Sequence, residues 1–452
     1  MNHCEIDMTH GSLWKKIFFF SIPLMFSNLL QIVFNMSDVA VVGKFAGPLA
    51  LGAVGSTSIL ITLFTGILIG LASGVNSLTA LYIGYRRDRS VEETVHTSFL
   101  LCLATGILLT VLGIAFSRPV LTLLHTKPEL IDGALIYLRI YLLGMPALAL
   151  FNFGNSVLSA AGDTKHPLLY LTLAGIVNVL LNLFFVIACH MNVAGVAIAS
   201  IIAQYISAAL VIALLMRSSQ NFALRLSCLR ITPEKMAKIL QIGLPSALQF
   251  VMFAVANLFV QFSINSFDHV MVEGNSAAAN ADPLLYDIMA AIYTACASFI
   301  AQNLGAGNKQ RILKTFRICL LYSFLTGLIL GGGIYILRYP FLSLFTSEAV
   351  VAEAGIKRLS CLALAYCLSS VMDCTMAAAR GLGKTIVPTI ILIGGTVFFR
   401  ILWIFTVFAH FRTIESLYIL YAFSWVISGI AELAYFIWLI RHGAADPQEN
   451  RT

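Results

Sequence analysis

Residues 17–42 read IFFFSIPLMFSNLLQIVFNMSDVAVV, an apolar run with one charged side chain, Asp38, close to its end. A bilayer-spanning helix needs roughly 20 consecutive apolar residues, and this run supplies more. The residues before it, MNHCEIDMTHGSLWKK, are mixed in charge, and no small-residue cleavage site follows. The run therefore reads as a first spanning helix, not a removable signal peptide.

Outward from this stretch the pattern recurs along the whole chain. Apolar segments between polar interruptions predict twelve helices near 17–42, 50–83, 95–117, 134–160, 167–189, 194–216, 239–266, 276–303, 313–337, 356–380, 386–410 and 416–440. Composition agrees: of 452 residues, 59% are hydrophobic and 11% charged, and the mean hydropathy is +0.90. A soluble domain carries about 25% charge, so this chain lacks the polar surface that a water-facing enzyme or a disordered segment requires. The expected class is an all-α polytopic membrane protein.

The longest polar connection, RSSQNFALRLSCLRITPEKMAK at 217–238, falls after the sixth helix. It predicts an N-terminal lobe over 1–216, a connecting loop over 217–238, a C-terminal lobe over 239–441 and a short polar tail over 442–452. Punctuating residues recur between the halves at a nearly constant spacing. Pro23 in SIPLM matches Pro245 in GLPSA, and Gly84 in YIGYRRDRS matches Gly305 in NLGAGNKQR. Pro119 in RPVLTLLHT matches Pro340 in YPFLSLFTS, and GDTKHP at 162–167 matches GKTIVP at 383–388. Six helices per repeat make both halves enter the membrane in the same direction. Such parallel repeats are related by an axis along the membrane normal, with a cavity near the midplane.

Basic residues set the orientation. With a cytoplasmic N-terminus, 19 of the 28 Lys and Arg fall in inner segments and eight in outer ones, with Arg400 inside a helix. Both termini are therefore expected in the cytoplasm. The same dispersal removes nucleic acid as an explanation of the +7 net charge, because a nucleic-acid surface needs clustered basic residues. Nine cysteines, mostly in apolar segments, form no CxxC motif or disulfide framework.

An ionisable group at bilayer depth costs a few kcal/mol, so each one demands a partner, water or a function. Five stand within predicted helices: Asp38, Asp287, Asp373, Arg400 and Glu432. Asn35 and Gln31 precede Asp38 at helical spacing, and the three share a face whose oxygens suit H+ or Na+. Solvation at the outer helix end is the alternative for Asp38. Asn178 and Asn182 form an i,i+4 amide pair on the fifth helix, either near the same site or as interhelical packing. Asp373 is a second carboxylate for coupling or a partner of Arg400. Arg400 and Glu432 read first as a structural pair. Asp287 lies near Asp282 and Pro283, where the helix can break, and Asn155 is a further candidate lining residue. Gly66, Gly70 and Gly74 make a stripe for close helix packing. No HExxH, GxSxG or GxxxxGK[ST] motif is present, so neither proteolysis nor ATP-driven pumping is expected and the chain reads as a non-enzyme without cofactor or metal.

The residues quoted above, with LSAAGDTKHP, NVLLNLFFVIACHMNVAGVAIASIIAQ, FIAQNLGAGNKQR and AAARGLGKTIVP, resemble the multidrug and toxic compound extrusion (MATE) family over nearly the whole chain. The resemblance implies an inner-membrane antiporter with two six-helix lobes, exporting cationic or amphipathic organic compounds in exchange for H+ or Na+. It maps the family's first-helix carboxylate onto Asp38, its fifth-helix amide onto Asn178 and its tenth-helix carboxylate onto Asp373. Two positions depart: Asn182 stands where Asp is common, and Phe253 where a seventh-helix Glu is expected. The implied working unit is a monomer in contact with lipid and a small-molecule substrate. A lipid-linked saccharide flippase is the neighbouring alternative, disfavoured by the carboxylates and amides at depth. A membrane sensor or assembly protein is the alternative of another class, with no output domain to support it.

Overall fold

The computed structural model describes residues 6–124 and 126–445. Cys4, Arg451 and most of the expected polar tail, from 446 onward, lie outside the described residues.

Every predicted segment forms a helix, and no strand occurs among the described residues. Ten helices are long and apolar enough to cross a membrane alone: α1 (Leu13–Ala46), α2 (Pro48–Gly84), α3 (Asp88–Leu123), α5 (Lys165–Ala188), α6 (Asn192–Arg217), α7 (Pro233–Ile264), α8 (His269–Gly305), α9 (Lys309–Ile336), α11 (Ile386–Phe411) and α12 (Ile414–Arg441). Two further spans are bent pairs, α4 (Pro128–Leu142 with Met145–Ala160, 44°) and α10 (Ala349–Leu362 with Tyr366–Gly381, 50°). The protein is thus a multi-pass membrane protein with helical spans.

The repeat seen in the sequence is built into the turns. Gly162 and Gly383 both adopt positive φ, at 94° and 72°. Around them the amide of Asp163 bonds the Leu158 carbonyl, and that of Lys384 bonds the Ala379 carbonyl. Both bonds reach back five residues, the closure of a helix C-terminus through a left-handed residue that Gly adopts without penalty. The α2–α3 and α8–α9 turns match likewise. Arg87 N bonds Tyr82 O and Asn308 N bonds Asn303 O, with Arg86 (φ 55°) and Gly307 (φ 73°) in the left-handed place. The halves differ at the third anchor: α3 runs through Pro119, whereas α9 stops at Ile336 and Pro340 sits in a separate short helix, Arg338–Ser343.

The chain packs as two compact units. Ile6 and Asp7 join Phe26–Ala247 in the first, and Met8–Met25 join the residues from Leu248 onward in the second. Thus α1 and α7 each give their opening part to one unit and their remainder to the other, changing membership two residues after Pro23 and Pro245. In the first unit the glycine stripe of α2 seats the start of α7. A Cβ on Gly70 would stand 2.3 Å from the Ala247 backbone, and one on Gly74 2.6 Å from the Ile239 carbonyl. In the second, Arg311 donates to the Met8, His10 and Gly11 carbonyls, and Phe20 meets Phe299 edge-on at 5.5 Å.

Candidate functional site

In the first unit three helices converge on Asp38. Asn182 of α5 donates to its Oδ1 at 2.5 Å, and Ser200 of α6 donates to its Oδ2 at 2.9 Å. Asn178 closes the ring, accepting from Asn182 at 3.3 Å and donating to Ser200 Oγ at 3.4 Å. All four side chains are buried. The i,i+4 spacing that places Asn178 and Asn182 on one face of α5 is what lets both reach the ring. Each of α1 and α5 passes into a π-helical turn just beyond its polar residues, at Val42–Ala46 and Phe184–Ala188. Such turns recur where a helix is adapted to function.

Chemically the ring holds an anion between hydroxyl and amide donors while keeping oxygens in reserve. Asn182 Oδ1 is buried and accepts no hydrogen bond. An unsatisfied acceptor beside a carboxylate is costly unless something occupies it. A proton on the carboxyl group or a hard cation among these oxygens would answer it, since hard cations take oxygen ligands. No cluster of three or more His, Cys, Asp or Glu fit for a metal ion occurs among the described residues.

The expected neighbours on α1 do not take part. Gln31 and Asn35 are exposed, and neither is bonded to Asp38. Helical spacing places the three on one side of α1, but of the three only Asp38 is buried. Ser200 was not anticipated. Its signal was a polar stripe at i, i+4 and i+7 on α6, Ser200, Gln204 and Ser207.

In the second unit Asp373 lies in the latter segment of α10 and Glu432 in α12, 3% and 0% exposed. Asp373 Oδ1 and both Glu432 carboxylate oxygens have no hydrogen-bond partner. The pairing expected between Arg400 and Glu432, or Arg400 and Asp373, is not formed. Arg400 instead donates to Asn257 Oδ1 of α7 at 2.8 Å and to Ser424 Oγ of α12 at 3.3 Å. Sequence depth identified these three groups as buried but carried no information on which helix faces meet. A buried arginine that does find a carboxylate in this unit is Arg358, whose pair with Asp282 joins a residue placed in an outer segment to one placed at a helix break. Asp287 is part-buried on α8, and Asn155 accepts only from Ser159 of its own helix, at 3.5 Å.

Comparison with known proteins places this arrangement among transporters. The MatE family pattern matches twice, over residues 23–184 and 245–406. A probable multidrug resistance protein, YpnP of Bacillus subtilis, is 28% identical over 307 residues, 68% of each chain. The FAD transporter of Shewanella oneidensis is 26% identical over 76% of this chain and 78% of its own. The solved outward-facing structure of a multidrug resistance MATE family transporter of the MOP superfamily superposes with a TM-score of 0.89, covering 96% of this chain and 97% of that one at 22% identity.

Proposed function

This chain belongs to the MatE family of multidrug efflux transporters, and from that premise we propose that it is a cation-coupled antiporter, exporting amphipathic or cationic organic compounds by alternating access. The coupling ion is H+ or Na+, entering at the Asp38 ring as the substrate leaves. The observation that carries the reading is the buried carboxylate whose two oxygens are held by Asn182 and Ser200 while an adjacent amide oxygen stands unused. Asp373 and Glu432 provide a second pair of buried carboxylates whose open oxygens fit the same task. The names borne by the relatives, multidrug resistance and FAD transport, support an organic cargo. The excess of Lys and Arg in alternate connections supports a plasma (inner) membrane protein with both termini cytoplasmic. It works as a monomer in the bilayer, taking a small-molecule substrate and contacting lipid.

Vesicles reconstituted with the protein and given a pH or Na+ gradient test the reading. Asp38→Asn should lower gradient-driven export by about ten-fold or more, the loss of roughly 1.4 kcal/mol or more of coupling. Asp373→Asn should reduce it as well. Full gradient-dependent export by both variants would overturn the assignment.

A further inference from the structure

Burying a guanidinium costs several kcal/mol unless a counter-charge and hydrogen bonds accompany it. Arg400 is 1% exposed, and the groups that it hydrogen-bonds and stacks on are neutral. Its bonds go to Asn257 Oδ1 and Ser424 Oγ, and its Cζ lies 4.3 Å from the centre of the Tyr421 ring. Arg358 approaches the same ring, at 5.8 Å, but its charge is answered by Asp282 Oδ2 at 2.5 Å and Asn275 Oδ1 at 2.7 Å. Of the two guanidiniums on this ring, Arg358 thus has a carboxylate in contact and Arg400 has none.

The repeat sharpens the point. The two family matches are offset by 222 residues, which sets Arg400 in the place of Asn178, Asn257 in the place of Asn35 and Val260 in the place of Asp38. The same three helices of each half build both clusters. In the first unit neutral donors surround a resident anion. In the second a cation and a hydroxyl stand together, and valine occupies the position that corresponds to the anion. Aromatic rings stand alongside: Trp425 lies 5.9 Å from Tyr421 and 5.1 Å from Tyr366, centre to centre. Asn257 is exposed, so the guanidinium lies one side chain beneath the surface of its unit.

We propose that Arg400 is the anchor of an anion site in the second unit, taking the carboxylate or phosphate monoester of an amphipathic aromatic compound. The acid group displaces the Asn257 amide oxygen from Nη1, forming a charge-assisted bond roughly twice as strong as the neutral one it replaces. The ring of the ligand lies against Tyr421 and Trp425. The inference deepens the export reading by naming a cargo class. It is measured without any gradient, so its failure and a failure of coupled export are separable.

The test uses the purified full chain in phosphatidylcholine nanodiscs, titrated with phenyl phosphate while tryptophan fluorescence is followed. Wild-type protein should bind saturably, with Kd on the order of 1 mM or below. Asn257→Asp places a carboxylate on the guanidinium in advance. It should keep or raise the thermal stability and weaken phenyl phosphate by about ten-fold or more. Arg400→Gln should lose binding likewise. Absence of wild-type binding, or wild-type affinity in a folded Asn257→Asp protein, overturns the proposal. Displacement of phenyl phosphate on changing to phosphatidylglycerol nanodiscs would assign the site to a lipid headgroup and overturn the cargo reading.

Discussion

At the scale of single residues, each carboxylate oxygen of Asp38 has one side-chain donor, Asn182 or Ser200. Removing one donor tests whether the set acts as a unit. Ser200→Ala leaves Oδ2 buried without a partner, at a cost of about 1–3 kcal/mol. The variant should therefore unfold at lower temperature in detergent and export more slowly. Ser200→Thr keeps the hydroxyl and should behave as wild type. Equal stability in the alanine variant would show that the bond carries nothing. Asp38 was legible because it is the lone charge in an apolar run, and Asn178 and Asn182 because amides at i,i+4 are conspicuous among leucines. Ser200 was not, because a serine in a membrane helix costs little and is common at packing contacts. The partners of Arg400, and the lack of any hydrogen-bond partner at Glu432, were beyond reach for a different reason. Depth in the bilayer follows from hydropathy, whereas the choice of partner follows from helix rotation.

At the scale of elements, the repeated turns make a sharper comparison than the helices. Arg86 holds a left-handed conformation in the place that Gly307 fills in the other half. A non-glycine residue there costs about 1 kcal/mol or more. Arg86→Gly should raise the melting temperature, and Gly307→Arg should lower it; opposite signs would mean that the turns are held by side chains instead. Gly162→Ala should be worse than either. Its φ is positive, and the new Cβ would stand 2.4 Å from the Ile6 carbonyl oxygen. All twelve spans were readable because hydropathy reports burial in lipid directly. Their ends ran longer than the apolar segments, as at Asp88 and Pro233, because polar first turns still complete backbone bonds. The bends in α4 and α10 were invisible, since a window of apolar residues has no direction.

At the scale of the whole chain, sequence order and packing disagree in one consequential way. The connection between α6 and α7, 218–232, is shorter than the expected loop at 217–238 because α7 already begins at Pro233; it is the natural place to divide the sequence, yet neither resulting piece contains a complete unit. The opening of α1 belongs with the second unit, where Asn303 and Arg311 bond the Met8 carbonyl and Tyr322 bonds the Trp14 carbonyl. The opening of α7 belongs with the first, where Gly70 and Gly74 leave room for its backbone and Lys235 Nζ donates to Tyr82 Oη at 2.9 Å. Cutting the loop would leave both pieces with unpaired donors, each worth about 1 kcal/mol net, and with uncovered small-residue grooves. Fragments 1–230 and 231–452 should therefore be unstable when expressed singly. Expressed together, they should recover each other's missing segment and co-purify through a tag on one of them. Arg311→Ala in the second fragment should weaken that recovery, because it removes the donor that gathers the Met8, His10 and Gly11 carbonyls. Size exclusion in detergent distinguishes the outcomes. If each fragment alone runs as a monodisperse folded species, the exchange of helix openings does not hold the units together, and the loop is the true boundary.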